Sequence, residues 1–155
     1  MATAGHPVRT ALLHDYHEER SPCTEDVTVS EKSREAIERF WQTMSTNDFA
    51  AVERLLHDDF LLEWPQSGEC IRGAENFATM NVRYPAAGPW RFTVNRVVAG
   101  ESQGVSDVTV TDGERVDRAV TFFDLRDGRI WRITEYWPEP FAPAAWRRDL
   151  VEALQ

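Results

Sequence analysis

The chain is predicted to be an α+β protein in which a curved, mixed or antiparallel sheet wraps around N-terminal helices and leaves an apolar pocket between them. Three observations point there. Ala36, Ile37, Phe40, Trp41 and Met44 recur at helical spacing near the start. Helical segments come first, and strand-like runs follow. Asp112-Gly113 and Asp127-Gly128 each separate two alternating runs, the strongest short-range hairpin signal.

Residues 1–29 are polar and unpatterned and read as a flexible arm ahead of a domain over 30–142. His14 and His17 in that arm offer a three-residue spacing that could hold a metal, but in an unstructured arm this is a weak signal, and they read as part of a solvated tail. A capping box at Ser30, or at Thr28 with Glu31 three positions on, opens an amphipathic helix over 31–45. Thr46-Asn47-Asp48 breaks it and caps a second helix from Phe49 to His57, with Val52, Leu55 and Leu56 as its apolar stripe. Phe60 to Trp64 is a strand stopped by Pro65, and Glu69 to Arg72 is a short return strand. Gly73 opens a third helix through Phe77 and Met80 to Tyr84, which Pro85 ends. Trp90 to Ala99 is a long strand, followed by the two hairpins. Pro138, Pro140 and Pro143 cannot lie inside a strand, and residues 143–155 are expected to form a short helix against the domain or a partner subunit.

At 155 residues the chain is one domain with room for a sizeable core. Six Trp and eight Phe with 42% hydrophobic residues argue against wholesale disorder. A net charge of −9 argues against nucleic acid or an anionic membrane as partner, because phosphate binding needs clustered Lys and Arg. No apolar run approaches the ~20 residues of a membrane span. Cys23 and Cys70 lack metal-site spacing and read as free thiols of a cytoplasmic protein. Neither a metal-binding set nor a phosphate-binding glycine loop is present, so no cofactor is expected.

Strand parity brings forward the candidate chemistry. If both Asp-Gly pairs are two-residue turns, Asp107 lies opposite Arg118 and Val120 opposite Glu135. One face then carries Val105, Asp107, Thr109, Val116, Arg118, Val120, Phe122, Trp131, Ile133, Glu135 and Trp137. It is the greasier face and is expected inside, placing Asp107, Arg118 and Glu135 together in the pocket. A one-residue slip would turn a strand over and dissolve that cluster. Glu135, between Ile133 and Trp137, would have a raised pKa and act as general acid; Asp107, held charged by Arg118, would act as base. The same trio reads equally as a structural ion pair. Glu63 faces away by alternation, and His57 suits a surface position at a helix end. Phe40, Trp41, Trp64, Phe77, Met80, Tyr84, Trp90, Phe122, Ile133 and Trp137 are the candidate walls for a flat, apolar small molecule.

The order of elements and several local strings resemble the nuclear-transport-factor-2-like superfamily, and within it the SnoaL-like group, over roughly residues 31–142. The carriers are Phe40-Trp41, Asn47-Asp48-Phe49, His57 to Phe60, Trp64-Pro65 with Arg72 to Phe77, and Asp127 to Ile130. The resemblance implies a cone-shaped, cystatin-like α+β fold that hosts cyclases, isomerases, dehydratases, epoxide hydrolases and non-enzymes. The steroid isomerases of this fold would place their phenol at Phe40, their base at Trp64 and their oxyanion-hole acid near Val120. All three are apolar here, so that mechanism cannot operate. Its epoxide hydrolases use an Arg between two acids, which Asp107, Arg118 and Glu135 resemble in type. Two readings follow. One is a cofactor-independent enzyme of SnoaL-like type on an apolar, polyketide-like molecule. The other is a non-catalytic ligand-binding or dimerisation module, a homodimer burying Val108, Val110, Ala119 and Tyr136.

Overall fold

The computed structural model describes residues 23–154. Residues 1–22 of the expected arm, with His14 and His17, lie outside the described residues. Helix α1 (Cys23–Met44) is followed by a 3-10 helix (Phe49–Leu55), strands β1 (Leu56–Trp64) and β2 (Glu69–Arg72), and helix α2 (Ala74–Arg83). Four antiparallel strands complete the sheet: β3 (Arg91–Ala99), β4 (Gln103–Thr111), β5 (Val116–Arg126) and β6 (Arg129–Tyr136). The strand order is β2-β1-β6-β5-β4-β3, with β1 and β6 parallel and every other pair antiparallel. The mixed sheet and leading helices are those the sequence predicts. Among the described residues no helix is long and apolar enough to cross a membrane.

Helix α1 starts at Cys23, eight residues ahead of the sequence expectation. Neither Gly nor Pro interrupts residues 23–44, and the expected cap residue is used differently. Ser30 donates its hydroxyl to the Ala99 carbonyl at 2.9 Å, and Ser33 donates to Glu101 at 2.8 Å, tying the helix to the β3–β4 turn. The inner stripe of α1 buries Ile37, Phe40, Trp41 and Met44 against the sheet. Phe123 of β5 meets the Phe40 ring edge-on at 5.4 Å, a favoured aromatic geometry. Gly104 lets this helix approach: a Cβ there would stand 2.3 Å from Ile37 Cδ1 and 3.0 Å from the Val98 carbonyl oxygen.

The second helix is a 3-10 helix ending at Leu55, so His57 belongs to β1 rather than a helix terminus. Its Nδ1 accepts the Asp59 backbone N–H at 3.1 Å. The expected C-terminal helix is reduced to a 3-10 turn at Ala145–Arg147. A short isolated helix needs a buried face, and Trp146, Leu150 and Leu154 are all exposed.

The hairpins show how the register departs from expectation. Between β4 and β5 the loop holds four residues, Asp112 to Arg115, because Thr111 pairs with Val116. The Asp112 carboxylate accepts the Glu114 and Arg115 amides at 3.1 and 3.0 Å and stabilises the wider turn. This shifts the pairing by two residues and preserves parity. Between β5 and β6 the two-residue Asp127-Gly128 turn forms as expected, with Arg126 opposite Arg129. A bulge between Asp124 and Leu125 then shifts the register by one, so Glu135 pairs with Thr121 and not with Val120.

Gly104→Ala is expected to destabilise the fold by about 1–3 kcal/mol through overpacking against Ile37. Urea unfolding would check this, and an unchanged midpoint would show that Ile37 yields freely.

Candidate functional site

Strand β6 turns Ile133 and Glu135 inward, while β4 and β5 present Ser106, Val108, Val110, Ala119, Thr121 and Phe123 to the same interior. The sequence expectation therefore holds for Ile133 and Glu135 of β6, fails at Trp131, where Ile130 is buried instead and Trp131 stacks under Arg126, and is inverted for β4 and β5. Asp107 and Arg118 lie on the outer face. Arg118 is 60% exposed and donates from Nε to Asp107 Oδ1 at 2.6 Å, with a second bond from Nη2 to Oδ2. The guanidinium holds the Asp107 carboxyl below its ordinary range, mainly through that hydrogen bond. The expected trio is not assembled, because the bulge separates Glu135 from the other two by a face of the sheet.

Glu135 stands alone and 7% exposed. The Trp64 and Trp137 indoles both donate to Oε2, at 3.0 and 2.9 Å, and the Thr121 hydroxyl donates to Oε1 at 3.0 Å. Among the described residues no Lys, Arg or His makes an ion pair with it. Burial, only partly opposed by the three donors, pushes its pKa above the ordinary carboxylate range.

The carboxyl lines a cavity of about 520 Å³ between α1, α2 and the sheet. Of the expected wall residues, Trp41, Trp64, Phe77, Met80, Tyr84, Trp90 and Trp137 line it. Phe40 and Ile133 are sealed in the core behind it, and Phe122 lies 49% exposed on the outer face because its strand is turned over. Sequence reasoning missed Thr121, Met44, Leu62, Phe92, Val110, Asn81, Gln66 and Asp117. Thr121 carries a sequence signal, as a hydroxyl between Val120 and Phe122 in an otherwise apolar run.

Local interactions hold the walls. Asn47, at a positive φ of 60°, caps both backbone groups of Trp90: its Oδ1 accepts from the amide at 2.8 Å and its Nδ2 donates to the carbonyl at 2.9 Å. Gln66 does the same for Trp137, accepting its amide at 2.7 Å just beyond the end of β6. At the mouth, Arg115 stacks on Tyr84 and Trp90, its guanidinium carbon 5.2 and 5.0 Å from the ring centres. Arg115 donates to the Pro85 carbonyl at 2.6 Å, and its Nε lies 3.4 and 3.6 Å from the Asp112 and Asp117 carboxylates. Asp112 also accepts the Ala87 amide at 3.1 Å. These backbone donors hold its pKa down at about 2. Glu63 is bonded to Arg132 at 2.6 Å on the face away from the cavity, as its alternation predicts.

A mixed sheet packed on a helix, with an apolar cavity between them and an inward carboxyl, defines an NTF2-like pocket protein. The chain belongs to the family of SnoaL-like domains, whose model matches residues 37–133. A structure from Kribbella flavida, provisionally assigned as a ketosteroid isomerase, is 30% identical with a TM-score of 0.76. The match covers 81% of this chain and 92% of that one. An NTF-2-like protein of unknown function from Burkholderia xenovorans is 29% identical, with a TM-score of 0.67 and coverage of 81% and 97%. An LEH-like epoxide hydrolase from M. tuberculosis, at 23% identity and a TM-score of 0.56, shares the fold over 74% of this chain and 85% of its own. No curated protein matches at a significant level.

Two acids should respond to pH with opposite sign. The folded pKa of Glu135 is raised, so the unfolded chain releases this proton first. Stability should fall as pH rises from the ordinary carboxylate range through the raised value. Glu135→Gln is expected to flatten that decline and raise the urea midpoint at pH 8; an unchanged slope would contradict the raised pKa. The lowered pKa of Asp112 contributes stability above the ordinary value of 3.8 that is lost as pH falls toward about 2. Asp112→Ala should lower the midpoint at neutral pH, and its deficit against the parent should shrink below pH 3.8, as followed by far-UV circular dichroism.

Proposed function

We propose that the protein is a cofactor-independent enzyme that moves a proton within an apolar, flat, polyketide-like small molecule, an isomerase or cyclase with Glu135 as the acid–base group. The observation that carries this reading is the 7% exposed Glu135 carboxyl in the wall of an apolar cavity, with no counter-cation among the described residues. Burial raises its pKa above the ordinary carboxylate range, which makes the carboxylate a stronger base than an exposed one and lets a single group take a proton and return it. The carboxylate abstracts a proton from a carbon next to a carbonyl, and the acid delivers it elsewhere on the same molecule. Epoxide opening of the Asp–Arg–acid type is disfavoured, because Asp107 and Arg118 face outward.

The walls supply the substrate site: Trp41, Trp64, Phe77, Met80, Trp90 and Trp137 around the body, and Tyr84 at the mouth. Glu69, Asp117, Glu135 and Glu139 also line it, with no Lys, Arg or His, so an anionic substrate is disfavoured. Similarity to the provisionally assigned isomerase supports proton transfer as the reaction class. On the outer sheet face Val98, Phe122 and Tyr136 are exposed, with the Phe122 and Tyr136 rings 6.2 Å apart. That patch supports a homodimer through this face. Val108, Val110 and Ala119, expected at such an interface, are instead buried in the core.

Four cavity tryptophans make intrinsic fluorescence a direct reporter for screening neutral, flat ketones and their anionic carboxylate analogues. Ligands found this way would be tested for deuterium uptake from D2O. Glu135→Gln is expected to lower the exchange rate by about 10²–10⁴-fold with binding retained, and Asp107→Asn to leave it unchanged. Equal rates in both variants would overturn the assignment.

A further inference from the structure

We propose that Trp64 and Trp137 are positioning residues that commit one oxygen of Glu135 to anchorage and leave the other for proton transfer. This rests on the reading of Glu135 as the acid–base group. A carboxylate oxygen offers two lone-pair directions. Both directions of Oε2 are taken by indole N–H groups, at 3.0 Å from Trp64 and 2.9 Å from Trp137. Oε1 receives one donor, the Thr121 hydroxyl at 3.0 Å. One direction of Oε1 therefore stays open, on a carboxyl that lines the cavity.

An indole N–H donates and never accepts. Neither tryptophan can accept a proton from Glu135, so a proton on the carboxyl belongs on Oε1. Thr121 rotates to accept or donate as that proton comes and goes. The two indoles arrive from different strands, β1 and the end of β6, and fix the carboxyl plane at two points. Trp137 is itself held by Gln66, whose Oε1 accepts its amide at 2.7 Å and whose Nε2 donates to its carbonyl at 3.4 Å.

The charged surroundings are one-sided. Glu69 from β2, Asp117 from β5 and Glu139 beyond β6 share the cavity, and α1, α2 and β3 contribute no charged group to its lining. Arg132 of β6 is bonded to Glu63 on the opposite face. Trp64, Thr121 and Trp137 are the groups that oppose the rise in pKa caused by burial, and two of the three are indoles.

The test replaces each tryptophan with Phe and, to keep size and shape, with benzothienylalanine, which has sulfur where the indole has N–H. The Glu135 carboxyl carbon is followed by 13C NMR as pH is varied, in the full-length protein and without ligand. Deleting either donor is expected to raise the titration midpoint by about one pH unit, because a hydrogen bond to the charged form is lost. With a turned-over ketone, kcat should fall by about ten- to a hundredfold, KM should change little, and the acid limb of the pH profile should move with the NMR midpoint. An unshifted titration in both benzothienylalanine variants would overturn the inference. A shifted titration in a protein that exchanges no proton with any bound ketone would support the clamp while removing the proposed activity.

Discussion

In β6 one extra residue, Trp131, falls between Ile130, which pairs with Leu125, and Arg132, which pairs with Asp124. That bulge decides which face of the last strand meets the helices. Upstream of it, β4 and β5 keep the parity set by their shared turn, with Asp107 and Arg118 on one outer face. Downstream, β6 is advanced by one residue, so Glu135 joins Thr121 inside. A single unpaired residue therefore separates an exposed ion pair from a buried acid. Strand β5 carries Phe123 into the core against the Phe40 and Trp41 rings.

A buried carboxyl without a cation is costly, and three neutral donors compensate only part of that cost. The fold tolerates it because the donors come from residues that are needed anyway as cavity walls. Trp64 and Trp137 supply apolar surface and an N–H each, and Trp41 sends its own N–H to Ser106 at 2.9 Å. Every tryptophan of this group thus has its polar atom satisfied while its ring faces the cavity. Asn47 and Gln66 use short side chains to hold the backbone of Trp90 and Trp137, so the walls are set by hydrogen bonds as well as by packing.

Much of the fold was legible in the sequence because its signals were local. Helical spacing from Ile37 to Met44, the breaker at Asn47-Asp48, Pro65, Gly73 and Asp127-Gly128 each act within a few residues. The inner face was not legible for β4 and β5, because their two faces are nearly balanced. Ser106, Val108 and Val110 go inside, while Val105, Asp107 and Thr109 go outside, and hydrophobicity alone favours neither strongly. The slip of Glu135 relative to β5 traces to the extra residue at Trp131, which no local signal marks, whereas the wider turn at Asp112 shifts the pairing without changing faces. Glu135 was found because its own strand has a clear apolar face, whereas its true neighbours Trp64 and Thr121 are set by sheet order.

That sheet order also explains how a carboxyl can serve this cavity when the position expected for the isomerase base is Trp64. Strands β1 and β6 run parallel, with Leu62 beside Ile133 and Glu63 beside Thr134. The next step of that register sets Trp64 beside Glu135, and the 3.0 Å bond from the indole to the carboxyl follows from it. Moving an acid from β1 to the adjacent place on β6 keeps it at the same depth of the cavity and reverses which strand donates and which accepts. An exchange of that kind leaves the apolar walls and the mouth untouched. It changes only the strand from which the carboxyl enters the cavity.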